Sequence, residues 1–215
     1  IANVTRKHLL ASHGGVWVDA TLLPTQPLDQ WLTDPILEQG FFAFRSGGDT
    51  NLVLQNWFLA SDPGNELMVA WSERYANYFS SRRIFPTWKR CIRHGAPLQF
   101  IRYHRHLRAR DTRWFADPNG GMDCPFYPYA ISNYCFSQML HEQPDLAKKW
   151  AKVPARWAFA PLAIGAASRD PETPPKNFFA AAEEMLSLAP VHKLNSRDER
   201  FVHLLQVARE VAGLS

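Results

Sequence analysis

The sequence predicts an α/β fold, and three observations carry that reading. A helix-like run over residues 1–13 is followed by Gly14-Gly15 and a short apolar segment, Val16-Trp17-Val18, that ends on an acid, Asp19. Two further apolar segments, Phe41–Phe44 and Asn56–Ala60, have the length of strands, and the first is closed by the turn signal Ser46-Gly47-Gly48-Asp49. Helical periodicity returns after residue 62 and again at the C-terminal end.

The elements follow in order. Gly14 supplies the C-cap signal of the first helix. The strand Val16–Val18 then delivers Asp19 at its carboxyl end, where open α/β sheets bind ligands. Two readings of Asp19 stand: it touches a metal ion or substrate, or it caps a turn. Leu22 to Pro35 holds Pro24, Pro27 and Pro35 and reads as a loop with a short helical turn. Asp62-Pro63 reads as an N-cap and first helical residue. The helix it starts runs to about Ser81, with Leu67, Ala70, Trp71, Arg74, Tyr75 and Tyr78 on one face. Leu98–Ile101 has the length of a strand. Residues 114–128, with Pro118, Gly120, Gly121, Pro125 and Pro128, read as an irregular loop. A helix over Asn177–Leu188 follows the loop Pro171–Pro175. The final helix opens on a capping box, Ser196 to Glu199, repeats Phe201, Leu204, Leu205, Ala208 and Ala212 at helical spacing, and stops at Gly213. One domain, 1–215, accounts for the whole chain.

A chain of 215 residues with 46% apolar composition buries a real core and is not disordered. Eight Trp and fourteen Phe suit either a core or an aromatic-lined ligand pocket. The longest weakly polar stretch, Trp157–Ala167, contains Pro161 and is far shorter than the roughly 20 residues that span a bilayer. Cys91, Cys124 and Cys135 have neither metal-site spacing nor an even count, which fits a reducing, cytoplasmic setting. Between Arg82 and Arg113 there are ten Lys or Arg against a single acid, Asp111. A patch of that sign attracts phosphates, an anionic membrane face or a nucleic acid. It reads equally as a solvated basic face.

Four segments carry a resemblance: Arg6-Lys7-His8-Leu9-Leu10, His13 through Thr21, Asn56-Trp57-Phe58-Leu59-Ala60 and Pro190-Val191-His192-Lys193-Leu194. Together they resemble the bacterial capsular polysaccharide synthesis protein family. That family is similar to the glycosyltransferases with a DXD motif, the Och-like mannosyltransferases among them. The resemblance implies a GT-A-like nucleotide-sugar transferase fold, single-domain, and the expectation is that part of its N-terminal nucleotide-binding half is lacking. The sequence departs from the pattern twice. Asn3 stands where an Asp would be expected, and Asp19 is paired with Thr21 rather than with a second acid.

The chemistry explains why such residues would be needed. Glycosyl transfer leaves a nucleoside diphosphate whose charge must be neutralised by a divalent cation or by Lys and Arg donors. Asp19 is the expected ligand of Mg²⁺ or Mn²⁺, since such ions take one or two carboxylates plus phosphate oxygens. Thr21 projects to the same side if the strand continues, and Gly14 and Gly15 either let backbone approach a ligand or only make the turn. Arg6 braces Asp19 or the sugar, or makes a surface ion pair. The resemblance places His192 and Lys193 near the diphosphate, His192 as a second metal ligand or a solvated loop residue, Lys193 as a point charge. Asn56 suits sugar hydroxyls; Trp57 suits a pyranose face or the core. Asp123 is the candidate catalytic base, although Asp49, Asp111 and Asp117 compete with it.

The function expected is transfer of a sugar from a nucleotide-sugar donor to a glycan or lipid-linked acceptor in capsular polysaccharide synthesis. It is expected in the cytoplasm, with peripheral contact to the anionic inner face of the membrane. The alternatives are a non-catalytic transferase-like scaffold and a basic nucleic-acid-binding module. The last ranks below the others because no nucleic-acid motif is present.

Overall fold

The computed structural model describes residues 2–47, 51–93, 97–109, 112–116, 125–167, 182–195 and 201–211. It is a mixed α/β structure built on two small antiparallel sheets. The first has the order β1-β4-β3, with β1 Gly15–Val18, β3 Phe41–Arg45 and β4 Leu54–Ser61. The second pairs β2 Leu22–Pro24 with β5 Val191–Lys193.

Helix α1, Ala2–His13, leads into β1 through Gly14. Gly14 has φ +67°, and a Cβ there would meet Pro63 Cδ at 2.6 Å and the Ser61 carbonyl oxygen at 2.7 Å. A left-handed turn packed this closely accepts only glycine. β1 lies at the sheet edge and pairs Gly15 with Ser61 and Val18 with Phe58. Val16 and Val18 are exposed, so β1 is an edge strand open on one face and not the buried strand that its apolar residues suggest.

The other two strands are buried on both faces. Phe41, Ala43, Leu54 and Leu59 face a core completed by α1, α4 (Glu66–Tyr78), α8 (Ile131–Glu142) and α9 (Pro144–Lys152). Phe42, Phe44, Trp57, Phe58 and Ala60 face a second core with Leu32, Ile36, Ala158 and Val191. Two short helices, α2 Leu28–Trp31 and α3 Asp34–Leu37, help close that side. The register of β3 against β4 shifts between Ala43 and Arg45. Leu54 and Leu59 therefore share a face although they are five residues apart, which strict alternation forbids. The irregularity sends Trp57 into the second core and leaves Asn56 free to face α1 and α8.

Several expected elements differ. The helix after β4 is capped by Asn65, whose side chain accepts from the Leu67 amide, and not by Asp62. Leu98–Ile101 lies in a helix, α6 Pro97–Arg108, preceded by α5 Trp88–Arg93 and followed by α7 Thr112–Ala116. The exposed positions Leu98, Ile101, Arg105 and Arg108 repeat at 3 and 4, the period of a helix lying on a surface. The stretch Leu22–Pro35 holds β2, because β5 offers it a partner from the far end of the sequence. Helices α8, α9 and α10 (Phe159–Ala167) fill a region for which the sequence predicts no element. Residues 182–187 form α11, and α12 spans Phe201–Val211, as its periodicity indicates. The capping box Ser196 to Glu199 lies outside the described residues. Among the described residues no helix is long and apolar enough to cross a membrane.

Candidate functional site

Asp19 follows β1 directly, its amide donating to the Trp57 carbonyl at 2.9 Å. The chain then turns: the Leu22 amide donates to the Asp19 carbonyl at 2.9 Å, which joins β1 to β2. Thr21 thus sits in a turn and not on a continued strand. The same turn carries its hydroxyl round to the side of the Asp19 carboxylate.

Three groups meet that carboxylate. Arg6 Nη2 donates to Oδ1 at 2.8 Å, Trp17 Nε1 donates to Oδ1 at 3.3 Å, and Lys193 Nζ lies 3.5 Å from Oδ2. Lys193 Nζ also donates to Thr21 Oγ1. The two sheets make this meeting: β2 pairs with β5 so that Leu22 opposes Lys193, one residue from Thr21. A close approach of α10 fixes β5 from behind, since a Cβ on Gly165 would lie 2.5 Å from the Lys193 carbonyl oxygen.

Arg6 is the buried anchor. Its side chain is 7% exposed, against 28% for Asp19, so the pair is a partly desolvated one and not a surface ion pair. Arg6 Nη1 donates to the Asn56 carbonyl and lies 3.4 Å from Asn56 Oδ1, and the guanidinium sits 5.0 Å from the Trp17 ring. Asn56 Nδ2 in turn donates to Asn133 Oδ1 at 3.1 Å, and Asn133 donates to the Leu54 carbonyl at 2.5 Å. Burial lowers the Arg6 pKa and the Asp19 carboxylate opposes that shift. An arginine remains charged throughout. Two cations therefore surround one carboxylate, an excess of positive charge at a corner where Asp19 and Lys193 still reach solvent.

Other expected residues lie elsewhere. Gly15 and Gly14 are at the opposite end of β1 from Asp19, about 13 and 16 Å away by strand rise. They make the helix-to-strand turn and approach no ligand at the Asp19 end. The Trp57 ring is 5% exposed and stacks on Phe44 at 5.1 Å, which leaves no face for a sugar. His192 is fully buried. Its Nε2 donates to the Ala189 and Leu186 carbonyls at 2.9 and 3.1 Å, and burial lowers its pKa. Alternation along β5 turns His192 away from the face that carries Lys193. A second metal ligand beside Asp19 it is not; it is a neutral core histidine. Asp123 lies outside the described residues, as do Asp49, Asp111 and Asp117. Among the described residues no group of three or more His, Cys, Asp or Glu could hold a metal ion. The donor set near Asp19 is one carboxylate and one hydroxyl, which suits a hard cation only where a ligand's phosphate oxygens complete the shell.

Two participants, and one buried neighbour of Arg6 in the chain, are not among the site residues expected from the sequence. Trp17 stands two residues before Asp19 on one strand face, so its donor role was legible in the alternation. Asn133 carried no signal, because its contact spans 77 residues. Lys7 is fully buried, with Nζ 4.4 Å from the Trp71 ring centre, 4.3 Å from that of Tyr75, and 3.2 Å from the Asn3 carbonyl. Its burial pushes the pKa down to about 7.

A mixed α/β protein with a half-open Arg–Asp–Lys cluster at the junction of two sheets is the class that fold and site define. Residues 1–88, which contain Arg6, Asp19, Thr21 and Asn56, match the family model of capsular polysaccharide synthesis proteins. The match points to polysaccharide biosynthesis. The segment Pro190–Leu194, with Lys193, lies outside the matched residues. No match was found among curated proteins or among solved structures.

Proposed function

We propose that the chain transfers a sugar from a nucleoside diphosphate sugar to a glycan or lipid-linked acceptor, with the Asp19 corner receiving the diphosphate. The observation that carries this reading is the cluster itself: Arg6 and Lys193 converge on Asp19 where it reaches solvent. The family match over residues 1–88 supports the biosynthetic setting, and a GT-A-like arrangement is part of the proposal.

The roles divide by burial. Arg6, pinned between Asp19 and Asn56, holds the carboxylate in one orientation with Oδ2 outward. Lys193, with a side chain 23% exposed, moves from Thr21 to a phosphate oxygen as a point charge. The Thr21 hydroxyl, released by Lys193, donates to a phosphate or sugar oxygen. Mg²⁺ or Mn²⁺ held by Asp19 and Thr21 would neutralise charge on the leaving diphosphate. Asp123 is the residue proposed as base for the acceptor hydroxyl.

One observation favours a second reading. The Asp19 carboxylate is already engaged by Arg6, Trp17 and Lys193, which is the arrangement a structural ion pair would have. The chain would then be a non-catalytic transferase-like scaffold. Titration calorimetry with a panel of nucleoside diphosphate sugars, with and without Mn²⁺, separates the two. Transfer predicts binding to at least one donor, weakened tenfold or more in Asp19→Asn and in Lys193→Met. Absence of binding across the panel sinks the transferase reading and leaves the scaffold.

A further inference from the structure

Helices α5 and α6 pack together and carry an unusual surface. No Asp or Glu occurs between residues 74 and 110, while Lys89, Arg90, Arg93, Arg102, Arg105 and Arg108 are all exposed. Three aliphatic side chains stand among them: Leu98 is 79% exposed, Ile101 62% and Ile92 55%. Leu98 and Ile101 are one turn apart on the solvent side of α6. The inner side of that helix is anchored by Tyr103, 2% exposed, against Phe115 and Phe126. The exposed face is therefore held outward by packing, and its aliphatic groups meet water rather than protein.

We propose that the α5–α6 face docks on an anionic phospholipid bilayer, with Leu98 and Ile101 entering the interface and the cations meeting lipid phosphates. Charge complementarity selects the partner, since a uniformly cationic face repels a second copy of itself. The aliphatic residues select lipid over nucleic acid. Single strands are gripped by aromatic side chains that stack on bases, whereas branched aliphatic chains gain by leaving water for acyl chains. Each cation near such a surface strengthens binding by roughly fivefold. The docking is independent of the transfer chemistry, and it would bring the chain to where a lipid-linked acceptor resides.

Sedimentation with vesicles tests it on the full chain. Vesicles of phosphatidylcholine alone are compared with vesicles containing about one third phosphatidylglycerol, at ~0.1 M salt, near the ionic strength where screening reaches ~10 Å. The expected result is pelleting with the anionic vesicles only. Arg102→Gln/Arg105→Gln should lower the partition coefficient by roughly thirtyfold, at about fivefold per charge. Leu98→Ser/Ile101→Ser keeps every charge and should lower it by roughly tenfold or more. All four positions are exposed; Arg102 also lies 5.5 Å from the Trp114 ring, an exposed contact whose loss costs about 0.5–1 kcal/mol, so a thermal melt of each variant accompanies the assay. Failure of the wild-type chain to pellet with anionic vesicles overturns the proposal. So does binding to a single-stranded oligonucleotide that the arginine pair weakens while the aliphatic pair leaves vesicle binding untouched.

Discussion

Replacing Arg6 by leucine tests the cluster at its most buried member. The change removes a charge-assisted hydrogen bond to Asp19 Oδ1 at 2.8 Å, a donor to the Asn56 carbonyl and a cation–ring contact at 5.0 Å. Charge-assisted bonds contribute about 1.5–3 kcal/mol and a cation–ring contact about 0.5–2 kcal/mol, more as it is desolvated. Asp19 is 28% exposed and regains some hydration when its partner leaves, so the cost falls short of that for a fully sealed pair. The expected loss is about 3 kcal/mol, which for a chain of this size lowers the thermal midpoint by about 6–12 °C. Part of that loss is packing, so the pair needs a double-mutant cycle. Urea unfolding of the wild type, Arg6→Leu, Asp19→Asn and the double variant should give a coupling of about 2 kcal/mol. A coupling under about 0.5 kcal/mol, the level of ordinary additivity, would refute the claim that burial makes this pair.

Two further predictions concern the frame around the site. Gly14→Ala should cost about 3 kcal/mol, from the left-handed backbone penalty together with the clash on Pro63 and Ser61. Gly15→Ala meets no atom within 4 Å and should cost only about 1–2 kcal/mol, so equal losses in thermal melts would contradict the packing argument. Lys7 should make stability rise with pH. Its pKa is near 7 in the folded chain against 10.5 unfolded, so the unfolded chain binds more protons across that window. The gain is about 1.4 kcal/mol per pH unit within the window and is absent below pH 7. Lys7→Met should exceed the wild type in stability at pH 7, with the gap narrowing by pH 9; a gap that stays constant would show that the ring faces of Trp71 and Tyr75 hold the ammonium charged.

Local pattern made several elements legible. The helix ending at Gly14 and the last helix follow from a period of 3.6, and the strands around Phe41–Phe44 and Asn56–Ala60 from short, nearly continuous apolar runs. Asp19 and Arg6 were also legible, because the residue string around each resembles a known family. The path of the second sheet was not. β2 and β5 are three residues each and pair across most of the chain length, so neither carries a pattern of its own. Leu98–Ile101 was not legible for a related reason: four apolar or neutral residues suit a strand or a helix equally until neighbours choose a face.

The sequence alone determined that an acid would stand at the end of a short strand, with an arginine one helix earlier. Only tertiary structure decided what these residues touch. The β2–β5 pairing carries Lys193 to Asp19, the irregularity in β4 turns Asn56 to Arg6 and Trp57 into the core, and strand alternation buries His192. Each of those outcomes depends on which element packs beside which, and contact between residues distant along a chain leaves no trace in the local periodicity of either partner.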